Sequence, residues 1–204
     1  ANISSPNTGI GIIAGYVGLA AGAENYTGKI TNCYTTGVLK GSGAAGGIGG
    51  VLGGSGYIKN CYSSATVIDQ IANNAGKAGG IIGRVNGNTS GSSIENCYTS
   101  GDINAIGGGN AGGIVGKVDG GKLVIKNCIA WNSMLVSTDK AKVGRIVGGT
   151  ANATYENCYA YDGMILKAGE ATFTVSDETS PSGSSFQGVA KSANELKNTV
   201  ISWD

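Results

Sequence analysis

A five-residue phrase, Ile-x-Asn-Cys-Tyr, returns five times and sets the register of the whole chain. It reads Ile30-Thr31-Asn32-Cys33-Tyr34, Ile58-Lys59-Asn60-Cys61-Tyr62, Ile94-Glu95-Asn96-Cys97-Tyr98, Ile125-Lys126-Asn127-Cys128-Ile129 and Tyr155-Glu156-Asn157-Cys158-Tyr159. All five cysteines of the 204-residue chain sit in it, at intervals of 28, 36, 31 and 30 residues. Self-similarity with a period of roughly 20 to 50 residues marks a solenoid, propeller or array.

A glycine phrase recurs on the same period: Gly11-Ile12-Ile13-Ala14-Gly15, Gly49-Gly50-Val51-Leu52-Gly53, Gly79-Gly80-Ile81-Ile82-Gly83, Gly112-Gly113-Ile114-Val115-Gly116 and Gly144-Arg145-Ile146-Val147-Gly148. From each cysteine to the closing glycine of the next such phrase the chain takes 20, 22, 19 and 20 residues. From the glycine phrase on to the next cysteine it takes 18, 8, 14, 12 and 10. Length variation is therefore confined to one corner of the repeat, where a surface loop tolerates insertion.

Positions within the repeat follow from side-chain alternation along a strand. Three residues before each cysteine stand Ile30, Ile58, Ile94, Ile125 and Tyr155; six after it stand Leu39, Val67, Ile103, Met134 and Met164. Both columns are apolar in every copy and are expected to share one core. Thr31, Lys59, Glu95, Lys126 and Glu156 lie between them and face water. The asparagine column suits a bend between two strands, because Asn tolerates left-handed backbone and its amide can bond the Asn of the next coil. After the bend, Cys is expected to point inward, the Tyr34, Tyr62, Tyr98, Ile129, Tyr159 column outward, and the Thr35, Ser63, Thr99, Ala130, Ala160 column inward again.

The predicted architecture is all-β: a right-handed parallel β-helix of about five coils. Coils stacked at the strand spacing of about 4.8 Å give a rod of roughly 24 Å. Residues 1–168 form the repeats together with an incomplete N-terminal coil. Residues 169–204 form a C-terminal cap, with a strand at 171–175, a turn or loop at 179–185 and a short helix announced by the capping-box pattern Ser192-Ala193-Asn194-Glu195.

Charged residues make up 13% of the chain and the formal net charge is +1, so nucleic acid is not an expected partner. No apolar run approaches the roughly 18 residues of a membrane span, and no membrane insertion is expected. The opening residues carry no signal region, and the chain reads as a piece of a larger precursor. It is expected to be a monomer.

The chain contains no histidine, which removes Ser/His, Cys/His and His-ligated metal chemistry. The cysteines lack Cys-x-x-Cys spacing and are expected as a stack of buried free thiols, since parallel side-chain directions oppose the disulfide torsion. Glu95 and Glu156 share a column two coils apart, about 9.6 Å from the coil spacing and within inverting-glycosidase range. Lys126 stands between them, so solvated surface charge is the better reading. The glycine phrases lack the Lys-Ser/Thr of a phosphate loop. No metal, cofactor or catalytic residue is expected. Binding character resides in Tyr34, Tyr62, Tyr98 and Tyr159, an outward aromatic strip on a low-charge face.

The two phrases together, over about residues 10 to 168, resemble the GLUG-motif repeat family, whose members include bacterial surface adhesins and the repeat region of immunoglobulin A-specific metallopeptidases. The tail from Gly188 to Asp204 is similar to the segment that follows such repeats. The resemblance implies an extracellular or cell-surface bacterial protein with a non-catalytic adhesive or spacer role, whose partner is a host or bacterial surface protein or glycan. Catalysis in the peptidase members belongs to a separate zinc domain with a His-Glu-x-x-His motif, which this chain lacks. The alternatives are a carbohydrate-binding module using the tyrosine strip and a polysaccharide-cleaving enzyme, which needs two converging carboxylates.

Overall fold

The computed structural model describes residues 1–6, 8–21, 24–72, 75–87, 91–149, 153–178 and 185–199. They form a parallel β-solenoid of about five coils. Each full coil contributes a short strand to each of five sheets, here numbered in the order the chain visits them after the first hairpin. Sheet 1 stacks Lys29–Thr31, Tyr57–Lys59, Ser92–Glu95, Leu123–Lys126 and Ala153–Glu156. Sheet 2 starts at Tyr34–Thr35 and runs through Tyr62–Ser63, Tyr98–Thr99 and Ile129–Ala130 to Tyr159–Tyr161 and Val189–Lys191. Sheet 3 begins with Asn2–Ser4 and Val38–Gly41, sheet 4 with Ile10–Gly11 and Ala44–Gly46, and sheet 5 with Ala14–Val17 and Gly49–Gly54. The N-terminal segment thus supplies three strands of an incomplete coil. It then turns into an antiparallel hairpin of Leu19–Ala21 and Glu24–Tyr26.

The bend between sheets 1 and 2 is the asparagine column. Asn32, Asn60, Asn96, Asn127 and Asn157 have φ between 50° and 55°, and they are the non-glycine positive-φ residues of the described chain. Left-handed backbone costs an ordinary L-residue about 1–2 kcal/mol, and Asn tolerates it best. Their side chains form a continuous ladder along the axis. Each Nδ2 donates to the Oδ1 of the coil before it: Asn60 to Asn32 at 3.1 Å, Asn96 to Asn60 at 3.0 Å, Asn127 to Asn96 at 3.1 Å and Asn157 to Asn127 at 3.0 Å.

Below this bend lies the core. Ile58, Ile94 and Ile125 are fully buried in register on sheet 1, with Ile30 at one end and the half-buried Tyr155 at the other. On sheet 3, Leu39, Val67 and Ile103 form the expected column, but its continuation is Leu135 and Leu166, not Met134 and Met164. The corner after the cysteine is one residue longer in the fourth coil and two longer in the fifth, which moves the inward position along the strand. Met134 is only half-buried; Met164 is buried in the core as expected, but from the added turn rather than from the strand, its N–H donating to the Tyr161 carbonyl at 3.3 Å.

The glycine phrase forms an elbow between sheets 4 and 5. Ile48, Ile81, Ile114 and Ile146 sit at its tip, all fully buried. In the middle copies the space admits only glycine: a Cβ on Gly79 would run into the Ile82 carbonyl, and one on Gly80 would lie 2.6 Å from the Thr99 methyl on the inner face of sheet 2.

The far end of the solenoid is closed by the tail. Ala171–Phe173 pairs antiparallel with Ile165–Ala168, and Val189–Lys191 adds a parallel strand beyond Tyr159–Tyr161. Phe186, 1% exposed, bridges to Val147 and lies against Tyr155 with ring centroids 3.8 Å apart. Buried Arg145 holds the tail down, donating to the carbonyls of Gln187 (3.1 Å) and Gly188 (3.0 Å) and to the Asp177 carboxylate (2.8 Å). The capping box is present: Ser192 opens helix Ala193–Lys197 and exchanges hydrogen bonds with Glu195. The loop expected at 179–185 falls, except for Ser185, outside the described residues.

Two predictions follow from the ladder and the clasp. Asn96→Ala loses two amide bonds and places Ala in left-handed backbone, so it should cost about 3 kcal/mol in chemical denaturation; Asn96→Gly, free of the backbone strain, should recover about 1 kcal/mol. The Arg145 hydrogen bond, against slight burial, holds the Asp177 carboxyl below its ordinary value, with the Ala190 N–H and the Arg145 charge assisting. A carboxylate with a depressed folded pKa stabilises above the unfolded value near 3.9 and loses that contribution as pH falls through the folded one. Hydrogen exchange at Val189–Lys191 should therefore be slower in wild type than in Asp177→Asn at pH 6, with the difference vanishing on acidification below that range.

Candidate functional site

The outward side of sheet 2 carries the aromatic residues. Alternation after the bend sends the first and third residues past each cysteine outward and the second inward. Thr35, Ser63, Thr99, Ala130 and Ala160, the second positions, are all buried. Thr35 donates to the Ser63 hydroxyl at 3.0 Å and Thr99 to the Gly113 carbonyl at 2.9 Å, so this inner row is anchored to its neighbours.

Of the four predicted tyrosines, the structure brings Tyr62 and Tyr98 together as a stacked pair, centroids 4.9 Å apart and planes inclined by 19°. Tyr34 stands in register beside Tyr62 and is 76% exposed, the most open aromatic of the strip. Tyr159 is separated from the others. Buried Ile129 occupies the intervening position, and the Lys191 ammonium lies 3.6 Å over the Tyr159 ring centroid.

The ribbon continues instead through two residues that sequence reasoning missed. Trp131 meets Tyr98 edge-on at 6.2 Å, and Tyr161 follows Trp131 at 6.0 Å. Both occupy the third position after the cysteine, which alternation places on the same face as the first. The row Tyr62, Tyr98, Trp131, Tyr161 therefore spans four successive coils. Burial, then the neighbouring Tyr62, push the Tyr98 phenol upward, with the Ser100 hydroxyl opposing. The Tyr62 and Ser100 hydroxyls lie 3.1 Å apart, fixing the rim of the strip. Aromatic pairs of this kind contribute about 0.5–1.5 kcal/mol beyond area burial, and the four rings, each half-buried, leave their outer parts to solvent.

Behind the bend the thiols form the expected inward stack. All five are free, with Cys61, Cys97, Cys128 and Cys158 buried and Cys33 partly exposed at the N-terminal end. Each sulfur lies 3.2–3.5 Å from the carbonyl oxygen two residues before it. Burial raises the Cys97 thiol well above its ordinary value, with the Cys128 and Cys61 thiols adding to the effect; the Cys97 thiol draws Cys61 down to about 7 against its own burial.

The remaining ionisable groups are dispersed. Glu156 pairs with Lys126 at 3.0 Å, and Glu95 stands in register with the same lysine. Among the described residues no cluster of three or more His, Cys, Asp or Glu side chains is placed to hold a metal.

The molecule is thus a parallel β-solenoid with an aromatic ribbon on one face. A crystal structure of a Bacteroides ovatus protein named a putative immunoglobulin A1 protease has the same fold, with a TM-score of 0.88 and 50% sequence identity over 98% of this chain. This chain spans 60% of that one. No family model and no curated protein matches the sequence.

Exposure rather than acidity should decide thiol reactivity. Iodoacetamide should label Cys33 alone in the native protein at pH 8 and all five cysteines in denaturant, as counted by intact mass; native labelling of Cys61 would contradict the closed stack.

Proposed function

We propose that this chain is a non-catalytic adhesive module of a larger bacterial protein, secreted or held at the cell surface. The observation that carries the reading is the aromatic ribbon: four contacting, half-buried rings on successive coils, extended by exposed Tyr34, with no ionised group among them. Tyr and Trp are the residue types that anchor protein interfaces, because they combine large contact area with little entropy to lose. A stack of coils joined by parallel strand pairs is a rigid support for such a face.

The GLUG-like phrases support this reading, and the Bacteroides ovatus protein, whose name is that of a putative protease, shares the fold over 60% of its length, with room for further domains in the rest. Catalysis by paired carboxylates draws no support from the geometry. Asp69 accepts three backbone N–H bonds, Asp119 is held by Arg84 and Lys117, and Glu156 by Lys126. The second reading, a glycan-binding face, is favoured specifically by the 76% exposure of Tyr34 beside the Tyr62 ring.

The test is a binding screen of the chain against a glycan array and immobilised immunoglobulin A1, repeated with Tyr62→Ala/Tyr98→Ala/Trp131→Ala. Binding weakened about tenfold or more in the triple variant is the expected result. Binding unchanged by the triple variant and by Tyr34→Ala removes the ribbon from the assignment, and no binding to any probe leaves a spacer.

A further inference from the structure

A second candidate site lies on the opposite phrase of the repeat. Past the elbow, sheets 4 and 5 touch backbone to backbone: a Cβ on Gly116 would lie 2.5 Å from the Gly83 carbonyl and 2.8 Å from the Ala78 nitrogen. With no side chain between the layers, residues on their outer rims converge. Lys77 in Lys77–Gly79 of sheet 4 and Arg84 in Ile82–Gly87 of sheet 5 line one cleft of about 180 Å³. The cleft is walled by Thr8, Gly9, Tyr16 and Val51. Tyr16 is about half exposed, and its ring stands beside Gly9, where a Cβ would come within 2.9 Å of the ring edge.

Both charged residues among the described cleft lining are cations. Lys77 is half-buried, its ammonium donating to the Ala75 carbonyl at 2.6 Å. Burial lowers its pKa; Asp119 and Asp69 oppose that, while Arg84 and Lys117 reinforce it. The nearby carboxylates are committed elsewhere. Asp119 is shared between Arg84 Nε at 2.6 Å and Lys117 Nζ at 2.7 Å. Asp69 is fully buried and accepts from the backbone N–H groups of Gly43, Ile71 and Lys77 at 3.2, 2.9 and 2.9 Å. Three cations thus face two carboxylates, and the ends of the Arg84 fork remain for a ligand.

We propose that this cleft binds a carboxylate-bearing sugar, such as a hexuronic or sialic acid residue. The carboxylate sits between the Lys77 ammonium and the Arg84 guanidinium, which suits bidentate pairing. The sugar ring lies against Tyr16, with the Thr8 hydroxyl available to a ring hydroxyl. The volume is below the roughly 300 Å³ at which pockets for drug-sized ligands begin, which matches a single ring rather than an oligosaccharide. This site is independent of the ribbon on sheet 2.

The test is ligand-observed NMR and titration calorimetry with D-galacturonate, D-glucuronate and N-acetylneuraminate, against methyl glucoside and inorganic phosphate. One acid sugar should receive saturation from aromatic protons, and its affinity should fall about tenfold in Arg84→Gln and in Lys77→Met, and several-fold in Tyr16→Ala. The Tyr62→Ala/Tyr98→Ala/Trp131→Ala variant, used here as a control, should bind the acid sugar as wild type does. Three outcomes overturn the proposal: equal response to the neutral glucoside, phosphate binding as tightly as the sugar acids, or affinity unchanged in both charge variants whose circular dichroism matches wild type.

Discussion

The structure depends on one backbone conformation repeated five times. An asparagine at φ near 50° turns each coil from sheet 1 into sheet 2 at the same place, and its amide then bonds the amide of the next coil. The first property fixes the angle of the corner; the second fixes the register of one corner on another. Register matters because a one-residue slip in a strand exchanges its two faces. With the bend pinned, the isoleucine three residues upstream of the cysteine and the thiol just downstream of the bend fall on the inside in successive coils, and like stacks upon like.

The elbow solves the converse problem. At the bend a side chain does the positioning, whereas between sheets 4 and 5 its absence does. The 38 glycines of the chain include those that let the two layers meet without side chains between them and let the inner hydroxyl row of sheet 2 approach the elbow. A thin two-layer edge results. It converts residues seven positions apart in sequence, Lys77 and Arg84, into neighbours across a cleft.

Much of this was legible in the sequence because stacking makes every structural requirement appear several times over. The isoleucine column, the bend, the inward thiols and the capping box could all be read as residue types at fixed spacing. The outward strip was legible in part. Tyr62 and Tyr98 share a position and stack, but Trp131 and Tyr161 occupy a different one and had no repeated signal. The core column of sheet 3 failed at the same coils. Met134 and Met164 satisfy an apolar pattern as well as Leu135 and Leu166 do, and only strand pairing reveals the lengthened corner. The Lys77 and Arg84 cleft depends on contact between layers, which spacing along one chain does not encode.

The change of position within the aromatic row also gives the surface a direction. From the third coil to the fourth the aromatic row steps sideways by two residues, about 6.6 Å along a strand, while it climbs about 4.8 Å per coil. The rings therefore follow two short columns, Tyr62 over Tyr98 and Trp131 over Tyr161, joined by one lateral step, rather than a single line parallel to the axis. A long chain laid on that track shifts sideways once on its way up, and its two ends meet unlike terrain: open Tyr34 at the bottom and Tyr161 beneath the tail strand at the top. Such a track distinguishes one end of a polymer from the other, so an extended ligand following it has a preferred direction.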